Sequence, residues 1–201
     1  MASSLTGRDK KLTWADFGTP VVKTKPPPGG TATAAHTEVK YPITYGWASS
    51  GKSFSLSDNV TVAIQLDKGK TWVANWVFNE PQQFQDDLLN HEQGHYAIAA
   101  LLARDMFIEV MQLKGRTFSS KADLDKAVGD IVKAHRSQPV HDKYDEVSET
   151  NHGLNPPQQK AWDALFQKAW TTPRSPAVTA PDGAVYKARL LDVLKAAGKS
   201  P

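Results

Sequence analysis

From about Gln82 to Leu113 the apolar residues Leu88, Leu89, Ile98, Leu101, Leu102, Met106, Val110 and Met111 recur at the spacing of one long helix. At 1.5 Å per residue it runs for roughly 45 Å and crosses a whole domain. Asn79 offers a cap, and Pro81 is tolerated in a first turn. The helix carries His91-Glu92-Gln93-Gly94-His95. On a helix the two histidines share a face, with Cβ atoms about 5–6 Å apart. That spacing lets two imidazoles hold one zinc ion while Glu92 reaches a water beside it. Gly94 costs about 1 kcal/mol against alanine; the expectation is a small residue that lets another backbone or the substrate approach the helix, with a neutral role as the alternative.

The rest of the composition narrows the possibilities. A chain of 201 residues is one domain with tails, long enough to bury a core. There is no cysteine, so disulfides and thiolate ligands are excluded. No apolar run reaches membrane-spanning length, and the first ten residues lack the apolar centre of a secretory signal. The expectation is a protein that stays in the cell or a trimmed, exported form. The net charge of +3 gathers at the ends: residues 1–30 and 171–201 each carry five Lys/Arg against two Asp. Without clustered basic and aromatic residues these are solubilising ends, and no nucleic acid is expected as a partner.

Along the chain, residues 1–40 read as an irregular segment. Its apolar knot is Leu12 to Phe17, and Pro26-Pro27-Pro28-Gly29-Gly30 is a breaker. Alternation from Val39 to Trp47 and from Val60 to Leu66, then β-formers from Thr71 to Phe78, predicts a small, mostly antiparallel sheet. Trp72 and Trp76 are expected in the core, with a cleft wall as the alternative. Beyond the long helix, Ser120 and Asp123 stand at capping-box spacing before a second helix, broken near Pro139. Lys143 to Asn151 reads as helical again, Gln158 to Trp170 as a further helix, and Leu190, Leu191 and Leu194 as a docking end segment. The expected organisation is an irregular segment at 1–40, an α+β domain at 41–171 and a C-terminal tail with a short helix at 172–201.

Two histidines do not complete a catalytic zinc site; a third protein ligand is needed. Asp105 and Glu109 lie on the motif helix about 15–21 Å beyond His95, which is too far. His135, His141, Asp145, Glu146, Glu149 and His152 remain. His36, His135 and His141 read as surface histidines.

The blocks Leu12-Thr13-Trp14-Ala15-Asp16-Phe17, His91 to His95, Leu102-Ala103-Arg104 and Glu149-Thr150-Asn151-His152-Gly153, followed by Gln159 and Trp162, resemble the bacterial domain-of-unknown-function family 922. Its members are described as secreted zinc-dependent proteases. The resemblance runs from about Leu12 to Trp162 and departs at Tyr96-Ala97, where the family has an aromatic residue and then Asp. It implies a zincin-like fold, export, one zinc ion held by His91, His95 and His152, and Glu92 as general base. Tyr144-Asp145 matches a Tyr-Asp pair of the family. Tyr144 is the candidate oxyanion donor, Asp145 a candidate to orient a ligand histidine, and Glu149 the substitute for His152.

The chemistry expected of such a set is hydrolysis: zinc acidifies a water, and Glu92 takes its proton as a carbonyl is attacked. The first expectation is a bacterial metalloprotease of zincin type with a peptide or protein substrate, bound by the edge of the strand before the motif helix. A cell-wall peptide amidase and a non-catalytic zinc-binding or interaction module are the alternatives.

Overall fold

A computed structural model describes residues 2–27, 33–179, 183 and 185–201. Part of the proline-glycine breaker, at 28–32, and the start of the end segment, at 180–182 and 184, lie outside the described residues. The strands are β1 (Ser4–Thr6), β2 (Ala35–His36), β3 (Val39–Lys40), β4 (Ile43–Thr44), β5 (Trp47–Ser50), β6 (Ser53–Leu56), β7 (Thr61–Ala63), β8 (Gln65–Leu66) and β9 (Trp72–Val73). The helices are α1 (Gln82–Met111), α2 (Lys121–Ala134), α3 (Gln138–Asp145), α4 (Pro156–Thr171) and α5 (Leu190–Ala196), with 3-10 turns at Trp14–Phe17 and Asn75–Asn79. The class is mixed α+β.

The helix α1 organises everything else. Residues 98–106 are all buried, so this stretch is enclosed on every side rather than amphipathic. On one side Leu88, Ala100 and Ala103 meet Val62, Val73, Leu12 and Phe17. Ile98, Leu101 and Leu102 meet Tyr144, Trp162 and α5 on another. Val110 and Met111 meet Leu124 and Val128 of α2 near the C-terminal end.

The β region is broken into small pieces instead of forming one sheet. β1, β7 and β4 make three strands in the order β1-β7-β4, and β2–β9, β3–β8 and β5–β6 are separate pairs. Only β1–β7 is parallel among these named pairs. The run from Val39 to Trp47 splits at Pro42, which has no N–H to give a ladder but whose carbonyl accepts from Ala63 N. The run from Thr71 ends at Val73, because Asn75–Asn79 turns into a 3-10 helix. Asn79 therefore does not cap α1; Pro81 occupies that place.

The helical expectations fare better. Ser120 caps α2 by accepting from Asp123 N, and Pro139 opens α3 instead of extending α2. Asn155 caps α4 by accepting from Gln158 N. The stretch after Asp145 is turn, not helix.

Both ends of the chain are built into the domain. Gln93, a variable position of the motif, accepts from Leu12 N at 2.8 Å and donates to the Lys10 carbonyl, while the Tyr96 hydroxyl donates to Gly7 O at 2.6 Å. Buried Arg104 donates to the Ala169 and Ala188 carbonyls and pairs with Asp105, whose other oxygen accepts from Leu190 N. Burial pushes the Asp105 carboxyl up, against Arg104. No helix among the described residues is long and apolar enough to cross a membrane.

Candidate metal centre

His91, Glu92 and His95 sit together in the first half of α1, all buried. The two imidazole Nε2 atoms are 3.2 Å apart. Asp145, the last residue of α3, sends Oδ1 to within 3.1 Å of each. Three ligand-type atoms thus form a nearly equilateral triangle. Ligands around a tetrahedral zinc with bonds of about 2.0–2.1 Å stand roughly 3.3–3.4 Å apart, so the triangle fits such an ion.

The outer ring nitrogens are held as well. His91 Nδ1 is 3.4 Å from Gln159 Oε1, an acceptor on α4, so this nitrogen carries the proton and Nε2 presents its lone pair inward. His95 Nδ1 is 2.9 Å from His141 Nδ1, which serves the same purpose from α3. Two inward lone pairs and a carboxylate oxygen at such separations repel one another unless a cation or a proton lies among them. Asp145 Oδ1 and Glu92 Oε2 are both buried without a hydrogen-bond donor. The donor set therefore fits a metal ion; which metal is not shown by it.

The electrostatics agree. Burial would raise the Asp145 carboxyl, but pairing with the His91 and His95 imidazoles outweighs it and holds the group well below the usual carboxylate range, a pairing that calls for positive charge, proton or metal ion, among the three groups. Burial pushes His91 down. For His95 burial acts downward too, yet the Asp145 carboxylate wins and raises it. Burial and the neighbouring His95 push His141 down to about 3, so it is a neutral imidazole at ordinary pH.

The triangle opens onto a cavity of about 280 Å³. Its far wall is the stretch 33–39, including β2, with Glu38 and His36; the near wall is α1 and α3. Trp72 of β9 lies behind β2 under the Lys23 ammonium, and Trp76 packs on Phe84. Neither tryptophan lines the cavity.

His152 stands at the rim. Its side chain is 43% exposed, and its Nδ1 is 3.9 Å from Asp145 Oδ1. Together with His91 and Asp145 it forms a second, looser group of ligand-type atoms. Asn151, His152 and Gly153 all have left-handed backbone, at φ 48°, 52° and 85°. A Cβ on Gly153 would come within 3.0 Å of His91 Cβ, so the turn lies tight against the first histidine.

Three expectations meet a different geometry. The Tyr144 ring stacks on His91, 4.7 Å away and nearly parallel, and its hydroxyl donates to Gln159 Oε1 at 2.8 Å. It is fully buried and faces α4, so it cannot donate to an oxyanion in the cavity. Glu149 cannot replace His152, because its carboxylate is held by Trp162 Nε1, Lys199 and Lys143. His135 is buried and His141 lines the cavity, contrary to the surface reading of both. A signal for His141 was present: it precedes Asp145 by four residues and so shares its helical face.

Fold and site together define a mixed α+β protein with a buried histidine-carboxylate group able to hold a metal ion. The chain belongs to DUF922, a family described as bacterial protein of unknown function, whose profile matches residues 13–153. No curated protein and no solved structure matches it.

Proposed function

We propose that this protein is a zinc-dependent hydrolase, a metallopeptidase in which His91, His95 and Asp145 hold one ion and Glu92 is the general base. The observation that carries this reading is the triangle of two imidazole nitrogens and Asp145 Oδ1 beside an undonated Glu92 oxygen. Imidazole and carboxylate suit zinc among the available metals, and a set of three protein ligands leaves a position open for chemistry. Zinc at such a centre supplies Lewis acidity, bringing the pKa of a water toward 7 and polarising a carbonyl.

The chain's own residues do the rest. Glu92 is one residue along the helix from His91, and one of its oxygens lies within 4.8 Å of a ring nitrogen of each histidine. That places it to take a proton from an attacking water and return it to the leaving amine. Gln159 and His141 keep the two imidazoles in the tautomer that faces inward. Asp145 replaces His152 as third ligand in this reading, and His152, at the rim, faces the substrate.

An extended substrate would lie between α1 and the stretch 33–39. The strand along the cavity is β2, with β9 paired behind it. Backbone pairing to its outer side would hold a peptide, in the manner of a zincin.

The test measures zinc content and hydrolysis of a peptide library for wild type and Glu92→Gln. Zinc retained in both with hydrolysis lost at least 100-fold in the variant supports the peptidase. Zinc retained with equal or no hydrolysis in both leaves a non-catalytic zinc module. Cleavage confined to cell-wall peptides identifies an amidase, and wild type without zinc removes the metal reading altogether.

A further inference from the structure

On the other side of His152 from the metal cavity lies a second recess of about 150 Å³. Its walls are the side chains of Phe84, Leu88, Leu154 and Pro156, with the bare backbone of Gly153 between them. Asp87 touches it as well, but its carboxylate accepts from Gln83 Nε2 at 2.9 Å. Leu88 and His152 line both this recess and the metal cavity, so the two adjoin across these side chains.

Two features mark the recess as more than a gap in the packing. Leu154 is 57% exposed, a large apolar side chain left facing water at its mouth. The three left-handed residues 151–153 set His152 on the divide and bring Leu154 around to the far side. Backbone of this kind costs free energy at residues other than glycine, and such strain collects at functional sites. The volume matches that of an apolar cavity able to take up benzene.

We infer that this recess is a side-chain subsite, and that preferred substrates carry a benzene-sized apolar residue, leucine or phenylalanine, directly beside the amide that is cut. The inference rests on the peptidase reading and gives it a substrate class. The metal cavity offers polar walls, with Glu38 and His36, whereas the recess offers apolar ones. A peptide spanning both therefore has one register in which its apolar side chain leaves water.

Two measurements test this. The first compares the binding of acetohydroxamate and a benzyl-bearing hydroxamate to the zinc-loaded protein by calorimetry. The benzyl compound is expected to bind on the order of tenfold tighter or more. Leu154→Glu, at an exposed position, is expected to reduce that ratio at least fivefold. Equal affinities in the wild type, or an unchanged ratio in the variant, overturn the subsite. The second digests a random peptide library and sequences the products. Leucine and phenylalanine should be enriched at one position flanking the cut, with the enrichment lost in Leu154→Glu; a flat profile in the wild type overturns the inference. Absence of hydrolysis by a zinc-loaded wild type sinks the peptidase reading and the substrate preference with it, while the hydroxamate ratio still decides whether the recess takes an apolar side chain. A protein that takes up no zinc sinks both.

Discussion

The Tyr144 hydroxyl lies where a side chain on residue 94 would begin: a Cβ built on Gly94 comes within 2.6 Å of Tyr144 Cζ and closer still to the oxygen. Gly94 is thus the notch in α1 through which a ring from α3 reaches the back of His91. Gly94→Ala gains about 1 kcal/mol of helix propensity but overpacks the site by about 1–3 kcal/mol. We expect a net loss of up to about 2 kcal/mol in urea unfolding, with weaker zinc binding because the stacked His91 ring must move.

Asp145 and His152 compete for the same place in the reading of the site. Asp145→Asn keeps the shape of the side chain but removes the charge that His91 and His95 face. It should weaken zinc binding at least 100-fold in a chelator competition, whereas His152→Ala should weaken it less than tenfold. The reverse order would restore His152 as third ligand.

Glu149 ties the C-terminal end to the turn that bears His152. Burial would raise its carboxyl, but Lys199 and Trp162 Nε1 outweigh burial and lower it. A depressed folded pKa gives stability that is present above the unfolded value, near 4.3, and lost as pH falls through the folded one. Lys199→Ala should therefore cost about 1–3 kcal/mol at pH 7, and the difference from wild type should shrink toward pH 3. Urea midpoints at the two pH values decide this.

Arg104 holds α4 and α5 against α1 from inside the core. Arg104→Ala would strand the Asp105 carboxyl in a buried position and free the Ala169 and Ala188 carbonyls. A loss of about 3–5 kcal/mol is expected in chemical denaturation.

What could be read from the sequence was local. The course of α1, the Ser120 cap and the break at Pro139 depend on residues within one or two turns of each other, and their chemistry is visible in order. The grouping of His91, Glu92 and His95 is of the same kind. The β region was harder because its strands are two to four residues long, too short for alternation to mark where each one ends. The roles of Tyr144 and Asp145 came out exchanged in emphasis: sequence favoured the tyrosine as the working group. Only the packing shows that α3 turns the tyrosine toward Gln159 and the carboxylate toward the histidines. Glu149 reads as a spare ligand because its partner Lys199 lies fifty residues further along the chain. Residues 2–27 and 33–40 read as irregular because their contacts are distant in sequence: β1, β2 and β3 pair with β7, β9 and β8, and the backbone at Gly7, Lys10 and Leu12 is held by Tyr96 and Gln93 of α1.

The triangle joins α1 to the end of α3, two segments far apart in sequence, in a chain that has no cysteine. An ion held there would act as a removable cross-link between His95 and Asp145, added to the packing that already joins α1 to α3. Binding to the folded chain alone adds stability by mass action, about 4.1 kcal/mol at a thousandfold excess over Kd. Such a protein would resist heat and proteolysis more as the metal around it rises, with the logarithm of its concentration, and its persistence would report on the metal supply of its surroundings.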